Sequence, residues 1–196
     1  MARVARRVPP FEALYRAIAA LPEGVTGEIL EPGFIRAMGR PGSAHRFAAG
    51  QVGEVLRRWN RNFGGSGWWI EVEAEIRLPG DRLVVPDLAG WRVEDDRTFL
   101  HVNPVLRIPD WCCEVLSHES TARDDRRLKL PLCASVGIGH VWLVDPEERL
   151  VECYETRDGV PALVASAKEQ EAVTLPPFGG EFDVGRFWEP PVSGER

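Results

Sequence analysis

The chain has 196 residues, of which 44% are hydrophobic and 28% are charged, and its formal net charge is -6 at pH 7. This length and composition fit one globular domain with its own hydrophobic core, since a domain spans roughly 100–200 residues. The negative net charge excludes a uniformly basic surface, but it allows a local basic cluster such as "RDDRRLK" at residues 123–129.

The cysteines and the apolar runs predict the cellular compartment of the protein. None of the four cysteines forms a C-x-x-C pair, so we predict reduced core thiols in an intracellular protein and no zinc site. The basic N-terminus is not followed by an apolar stretch, and no run approaches the roughly 20 apolar residues of a membrane helix. We therefore expect a soluble, cytoplasmic protein that does not enter a membrane.

The N-terminal third predicts a helix, a hairpin and a second helix. Apolar residues at helical spacing predict the first helix over residues 10–21. Residues 27–38 read as two short strands around a turn at residues 31–33. A longer helix is predicted over residues 44–63, with Ser43 as its N-cap.

The middle of the chain predicts two strands. Strict alternation over residues 68–78 predicts one half-exposed strand. Its inward side chains would be Val72, Ala74, Ile76 and Leu78, and its solvated face would carry Glu71, Glu73, Glu75 and Arg77. The second strand, over residues 82–91, contains Pro86 and is therefore predicted to be irregular or near a sheet edge at that point.

The C-terminal half continues this alternation of strands and helices. A polar excursion over residues 94–109 precedes a buried strand, Trp111 to Leu116, and a helix over residues 121–136. A hairpin follows over residues 139–155, and weaker strand patterns lead to a Pro/Gly/Glu-rich end that is predicted to fray. Strands mixed with helices predict an α/β domain.

Glu114 lies in the middle of the buried strand and needs an explanation. Because neighbouring strand residues face opposite sides, Trp111, Cys113 and Val115 share one face. Glu114 shares the other face with Cys112 and Leu116. Burial in an apolar layer raises the pKa of a carboxyl group, so the group takes up a proton and becomes neutral unless a partner stabilises its charge. A cation is the natural partner.

Two further features suggest which cation. Asp87 follows Pro86 inside an apolar strand, and Mg²⁺ is commonly held by one or two carboxylates together with water. Asp125 and Lys129 are four residues apart and therefore share one face of the following helix. If that helix packs across the sheet, Lys129 can reach the same cavity as Asp87 and Glu114.

The combined spacing of these residues resembles the Uma family of putative restriction endonucleases, a branch of the PD-(D/E)XK nuclease superfamily. The resemblance runs from about Pro9 to Phe187 and includes "GEI" at residues 27–29, "SAH" at residues 43–45 and Pro86-Asp87. The residues in register after these are Glu114, Val115, Leu116, Ser117, Ser120, Thr121, Asp125, Lys129, Gly137, Trp142, Asp145 and Pro146.

The chain departs from the family pattern at a few positions. His118 stands in place of the usual Pro, Cys133 in place of Tyr, and Val141 in place of the Tyr before Trp142. Most of the superfamily carries its lysine two residues after the glutamate, where this chain has Leu116. The family is thought to use a helix lysine instead, here Lys129, and Pro131 is predicted to kink that helix just beyond it.

The resemblance implies an α/β, restriction-endonuclease-like fold: a mixed central sheet flanked by helices, with an N-terminal helix and hairpin. It implies a single domain over residues 1–196, with a core at about residues 9–188. The implied activity is metal-dependent hydrolysis of DNA phosphodiester bonds. Asp87, Glu114 and the carbonyl of Val115 would hold Mg²⁺ or Mn²⁺, and Lys129 would act beside the metal. A homodimer is expected, because two symmetric sites cut both DNA strands most simply.

Four residues are predicted to support this site. Asp125 would hold Lys129 or accept a water-mediated contact from the metal. Ser117 would cap the helix or contact phosphate. His45 would contact phosphate, and Glu28 would be a further acidic ligand.

Several of these residues also have a simpler interpretation. Asp87 could be a turn residue after proline, and Glu114 the structural partner of an arginine. Asp125 and Lys129 could form an exposed ion pair, His45 could lie on the surface of the first helical turn, and Thr121 could simply cap its helix. For the whole protein, the alternative is a catalytically inactive nuclease-fold module that binds nucleic acid or another protein.

Overall fold

The computed structural model of the chain describes residues 8–93, 98–117 and 121–189. The helices are α1 (Phe11–Ala19), α2 (Ser43–Val55), α3 (Thr121–Asp124) and α4 (Leu130–Ser135), with a π-helical turn (Asp125–Lys129) joining the last two. The first strands are β1 (Thr26–Glu28), β2 (Arg36–Met38), β3 (Trp68–Val72), β4 (Ile76–Leu78), β5 (Arg82–Val84) and β6 (Leu88–Arg92). The later strands are β7 (Trp111–Val115), β8 (His140–Asp145), β9 (Leu150–Arg157), β10 (Val160–Lys168), β11 (Ala172–Thr174) and β12 (Glu181–Asp183). Both the predicted fraying end, within residues 190–196, and part of the polar excursion lie outside the described residues.

The N-terminal helix and hairpin form as predicted. Phe11, Leu14 and Ile18 lie on one face of α1 and are buried in a small apolar cluster with Ile29, which follows β1, and Leu83 of β5. Strands β1 and β2 pair antiparallel, and Gly33 adopts a φ of +92° in the turn between them. At Gly27 a Cβ atom would lie 2.7 Å from Ile18, so the absence of a side chain there lets β1 approach α1.

Helix α2 differs from the prediction at both ends. Gly42 is its N-cap and Ser43 is already helical, so the predicted Ser43 cap is wrong. The α-helix ends at Val55, and 3₁₀ turns replace its predicted last part. Asn60 lies after the first 3₁₀ turn, and its side-chain amide donates to the Ile70 carbonyl and accepts from the Ile70 N–H. The side chain thereby pairs with the outer edge of β3 instead of following a helix.

The single strand predicted over residues 68–78 is also wrong. The chain breaks at Glu73, whose φ is 50°, and β3 and β4 belong to different sheets. The tertiary packing overrides the alternation: Trp68, Trp69 and Ile70 are all buried, whereas Val72 is 68% exposed. The inward orientation of Ile76 and Leu78 is confirmed.

The central sheet has six strands in the order β10-β9-β8-β7-β6-β3. Only β7 and β8 are parallel; the other neighbours are antiparallel, so the sheet is mixed as predicted. All five residues of β7 are buried, because apolar clusters cover both faces of the strand. Trp111, Cys113 and Val115 belong to one cluster and Cys112 to the other, which confirms the predicted division of the strand into two faces.

The predicted hairpin and the predicted buried cysteines also agree with the structure. The hairpin of β8 and β9 turns at Asp145, whose Oδ1 accepts the N–H groups of Glu147 and Glu148. All four cysteines are free and buried. The described parts of the chain contain no helix with the length and apolar character needed to cross a membrane.

Candidate active site

A cleft of about 720 Å³ opens at the carboxyl end of β7. Its walls come from β2 and the loop after it, the start of α2, the π-helical turn and the turn between β8 and β9. Seven of the eight predicted site residues line it: His45, Asp87, Glu114, Val115, Ser117, Asp125 and Lys129. The eighth, Glu28, is fully buried behind Lys129. The fold therefore brings residues from five separate parts of the sequence to one place.

Asp87 joins three elements at the cleft. Pro86 and Asp87 stand between β5 and β6, where the proline interrupts strand pairing. Oδ2 of Asp87 accepts the Val115 N–H at 2.7 Å, and Oδ1 lies 2.7 Å from Nε2 of His45. Asp87 does occupy a bend, but its carboxylate binds β7 and α2 and is thereby held toward the cleft.

Lys129 is the cation that Glu114 requires. Its Nζ lies 2.8 Å from Oε2 of Glu114 and 2.8 Å from Oε1 of Glu28. A third, longer contact of 3.5 Å joins Nζ to the Val85 carbonyl. Glu28 is itself fixed, because its Oε1 accepts the Val85 N–H at 2.7 Å. The alternative that Glu114 pairs with an arginine is therefore wrong.

The π-helical turn directs Lys129 into the sheet. The Leu130 N–H donates to the Asp125 carbonyl five residues back, and Pro131 follows directly. A proline lacks the N–H and clashes with the preceding turn, so a widened turn at this place accommodates it. Lys129 is only 3% exposed and Asp125 only 6%, which excludes the alternative of an exposed ion pair. The predicted kink therefore leaves Lys129 directed at Glu114.

Burial and mutual charge shift the pKa values in this group. Burial raises the pKa of Glu114 well above its ordinary value, although Lys129 opposes the shift. Burial disfavours the charged form of Lys129, but Glu114, Glu28 and Asp125 outweigh it and hold the pKa of Lys129 well above its ordinary value. The ammonium therefore stays charged at neutral pH.

The donor atoms at the cleft fit a hard divalent cation. Oε1 of Glu114 is buried and has no hydrogen-bond partner within the described ranges. Glu28, Glu114 and Asp125 surround Lys129, and Asp87 lies close enough to Glu114 to raise its pKa, so this group has more carboxylates than ammonium groups. In residues 8–93, 98–117 and 121–189, no three His, Cys, Asp or Glu side chains are grouped to hold a metal by themselves. Two carboxylates, a backbone carbonyl and waters match the usual ligands of Mg²⁺.

Comparison with known proteins identifies the family and the fold of this chain. The family model described as Uma2, putative restriction endonuclease, matches residues 11–185. The chain belongs to this family. A crystal structure of a putative nuclease belonging to DUF820 from Anabaena variabilis has a TM-score of 0.66 at 19% identity, over 92% of this chain and 97% of that chain. That likeness confirms the restriction-endonuclease-like fold, and a search of curated proteins found no match.

In this Uma2 family member, His45 and Ser117 both reach the cleft. The His45 side chain is only 12% exposed, so the interpretation as a surface residue is wrong. Its Nε2 contacts Asp87, and its predicted contact with phosphate stays a prediction. Ser117 lines the cleft after β7, and its predicted roles also stay predictions. The Thr121 side chain, predicted as an N-cap, lies outside what the structure describes.

Sequence reasoning missed several cleft residues. Glu73, predicted on a solvated strand face, lines the cleft because the chain turns at this residue and its N–H donates to the Asp87 carbonyl. Arg36 and Arg40 line it from β2 and the loop after it. In the sequence, Glu73 looks the same as Glu71 and Glu75. Only the end of β3 at Val72 distinguishes it from them, and the alternating pattern does not predict that end.

We predict that replacing Asp125 with asparagine changes how stability depends on pH. Burial, together with the charges of Glu28 and Asp87, raises the pKa of Asp125 to about 6. The positive charges of Lys129 and Arg36 oppose this shift but do not cancel it. Since the folded pKa exceeds the unfolded one, Asp125 contributes stability below about pH 4 that is lost as the pH rises through about 6. As the pH rises from about 4 to 7, the free energy of unfolding of Asp125→Asn should therefore increase by about 2–3 kcal/mol relative to that of wild type.

Urea denaturation of both proteins across that pH range measures this difference in the free energy of unfolding. Asp158→Asn is the matched control, because Asp158 is exposed in a turn at a φ of 52° that asparagine tolerates. A difference between Asp125→Asn and wild type that does not vary with pH would contradict the prediction.

Proposed function

We propose that this protein is a metal-dependent endonuclease that hydrolyses phosphodiester bonds in DNA. The observation that carries the proposal is the convergence of Asp87, Glu114 and Lys129 from a bend, a strand and a helix at one cleft. Membership of a family described as putative restriction endonucleases supports a nuclease, and DNA is the substrate which that description suggests.

The carboxylates of Asp87 and Glu114, with the carbonyl of Val115, would hold Mg²⁺ or Mn²⁺. When bound, such an ion lowers the pKa of a water molecule and neutralises charge on a phosphodiester. The chain orients these ligands in advance. The Val115 N–H and His45 hold Asp87 from two sides, and Lys129 holds Oε2 of Glu114.

Lys129 acts as a fixed positive charge in this mechanism. Since its pKa is raised, it does not remove a proton from water at neutral pH. Its three N–H groups contact Glu28, Glu114 and the Val85 carbonyl, so the ammonium has a fixed position beside the metal ligands. In a cleft of low dielectric, this charge stabilises negative charge that develops on the phosphate in the transition state.

The test is metal-dependent cleavage of a supercoiled plasmid. Wild-type protein should nick or linearise it in Mg²⁺ or Mn²⁺, and EDTA should stop the reaction. Asp87→Asn should lower the rate by at least about 100-fold, because it removes one charged ligand that orients the ion. In calorimetric titration, the same variant should bind Mn²⁺ at least about 10-fold more weakly than wild type.

Asp110→Asn is the matched control for Asp87→Asn. Oδ2 of Asp110 also accepts a backbone N–H, from Arg92, but Asp110 precedes β7 at the strand end opposite the cleft. This control should cleave like wild type. If wild-type protein neither cuts DNA nor binds Mn²⁺, the inactive nuclease-fold module becomes the better account.

The homodimer that double-strand cleavage favours stays a prediction. Strand pairing between two copies at the β3 edge of the central sheet is disfavoured, because the side chain of Asn60 already bonds the N–H and the carbonyl of Ile70 there.

A further inference from the structure

Arg36 occupies a position in the cleft that neither the metal site nor Lys129 uses. It lies on β2 opposite Glu28 and lines the same cleft as Asp87 and Glu114. Its Nη2 is 2.9 Å from Oδ2 of Asp124, whereas its Nη1 is buried and has no hydrogen-bond partner among the residues that the structure describes. One side of the guanidinium is therefore paired, and the other still has hydrogens to donate.

An unpaired guanidinium nitrogen in this place indicates an anionic ligand. Buried donors without partners are rare in folded proteins, because each costs the solvation that it loses. The planar fork of an arginine matches the oxygens of a phosphate, which it can bind with two nitrogens. Lys129 is less able to serve a ligand in this way, since Glu28 and Glu114 already hold its ammonium.

The start of α2 adds a second positive feature to the same wall. Ser43, Ala44 and His45 line the cleft, and the first turn of the helix contains no acidic residue. The backbone N–H groups at a helix N-terminus favour negative charge. Arg36 and this helix end therefore provide positive charge in a cleft that is otherwise rich in carboxylates.

We propose that Arg36 binds a backbone phosphate of the DNA substrate through the side of its guanidinium that Asp124 leaves unpaired. The proposal rests on the proposed function, because it names the residue that holds the substrate beside the metal site. Arg36 is a substrate-binding residue here. The competing role is purely structural: Arg36 would only hold the start of the π-helical turn through its ion pair with Asp124.

Two variants separate binding from structure. Arg36→Gln removes both the phosphate contact and the ion pair, whereas Asp124→Asn removes only the ion pair and keeps the arginine, whose charge still acts on Asp125. If Arg36 binds phosphate, only the first variant loses affinity for DNA. If the ion pair is all that matters, the two variants weaken binding equally.

The experiment measures binding of a labelled DNA duplex by fluorescence anisotropy at several salt concentrations, with Ca²⁺ in place of Mg²⁺. Arg36→Gln should raise the Kd by about 10- to 100-fold, the usual range for a lost charge-assisted contact. It should also reduce the slope of log Kd against log salt by about 1, because one phosphate contact is lost. Asp124→Asn should bind as tightly as wild type or more tightly.

Two further variants complete the design. Arg157→Gln is the matched control, since Arg157 forms an equivalent 2.8 Å pair with Glu155 at the opposite end of the sheet. It should bind like wild type. Arg36→Lys keeps the positive charge but permits only one hydrogen bond to the phosphate, so it should weaken DNA binding by about 3- to 10-fold. This variant tests the inference even if Arg36→Gln does not fold.

The outcomes distinguish this inference from the proposed function. If Arg36→Gln weakens binding but wild-type protein never cleaves DNA in Mg²⁺ or Mn²⁺, the role of Arg36 stands and the nuclease proposal fails. The inference is overturned if Arg36→Gln binds like wild type, if Asp124→Asn loses as much affinity, or if wild-type protein binds no DNA.

Discussion

Replacing Glu114 with glutamine is expected to lower the rate of DNA cleavage by about 100- to 1,000-fold while the protein stays folded. Glutamine has the same shape and can still accept a hydrogen bond from Lys129, which Glu28 continues to pair. The charge that would hold the metal is lost, and no other carboxylate occupies the same position on β7. Rates of plasmid nicking in Mg²⁺ and in Mn²⁺ measure the effect.

Glu155→Gln provides the control for this variant. Glu155 pairs with Arg157 and lies opposite His140, at the end of the sheet away from the cleft. Its replacement should leave cleavage unchanged. Equal rates for wild type and Glu114→Gln, at equal melting temperatures, would remove Glu114 from the mechanism.

Replacing Lys129 with methionine is expected to destabilise the fold by about 3–5 kcal/mol at neutral pH. Methionine keeps much of the length of the side chain but removes the charge, and Glu28 and Glu114 are then buried without their cation. Burial already raises the pKa of Glu114 well above its ordinary value, and loss of Lys129 raises it further. Since a raised folded pKa gives stability that is lost as pH rises, the defect should shrink as the pH falls toward about 4.

A second substitution tests this explanation directly. Lys129→Met combined with Glu28→Gln removes one of the two unpaired charges, so it should be more stable than Lys129→Met alone. Glu28→Gln alone should be destabilising, because Lys129 then loses one of its two carboxylates. Denaturant unfolding of the four proteins gives the coupling free energy. Additive effects of the two substitutions would show that Glu28 and Lys129 do not act as a pair.

Much of the candidate site could be predicted from the sequence because its residues break local rules. Glu114 interrupts an apolar strand, Pro86-Asp87 interrupts another, and Lys129 shares a helix face with Asp125. Each is unfavourable or unremarkable alone, but buried charges need partners, and three such anomalies in one chain favour a common site. The structure places them at one cleft as expected, while their catalytic roles stay proposals.

Other residues could not be predicted because their positions depend on distant contacts. Glu28 was expected to be a further metal ligand, yet it lies behind Lys129, 101 positions away in the sequence, and does not line the cleft. Glu73 reaches the cleft only because the strand breaks beside Asp87. Arg36 follows a hairpin turn, and the residues next to it in the sequence do not predict that its side chain lines a cleft.

The sequence by itself determined the alternating faces of β7, the N-terminal helix and hairpin, and the identity of the charged residues that require partners. These are local properties, because side-chain periodicity and turn chemistry act over a few residues. Only the tertiary structure decided that Lys129 lies between Glu28 and Glu114, that β3 ends at Val72, and that Arg36 lines the cleft. Such contacts join residues far apart in the chain, and their free energies depend on burial that no local pattern specifies.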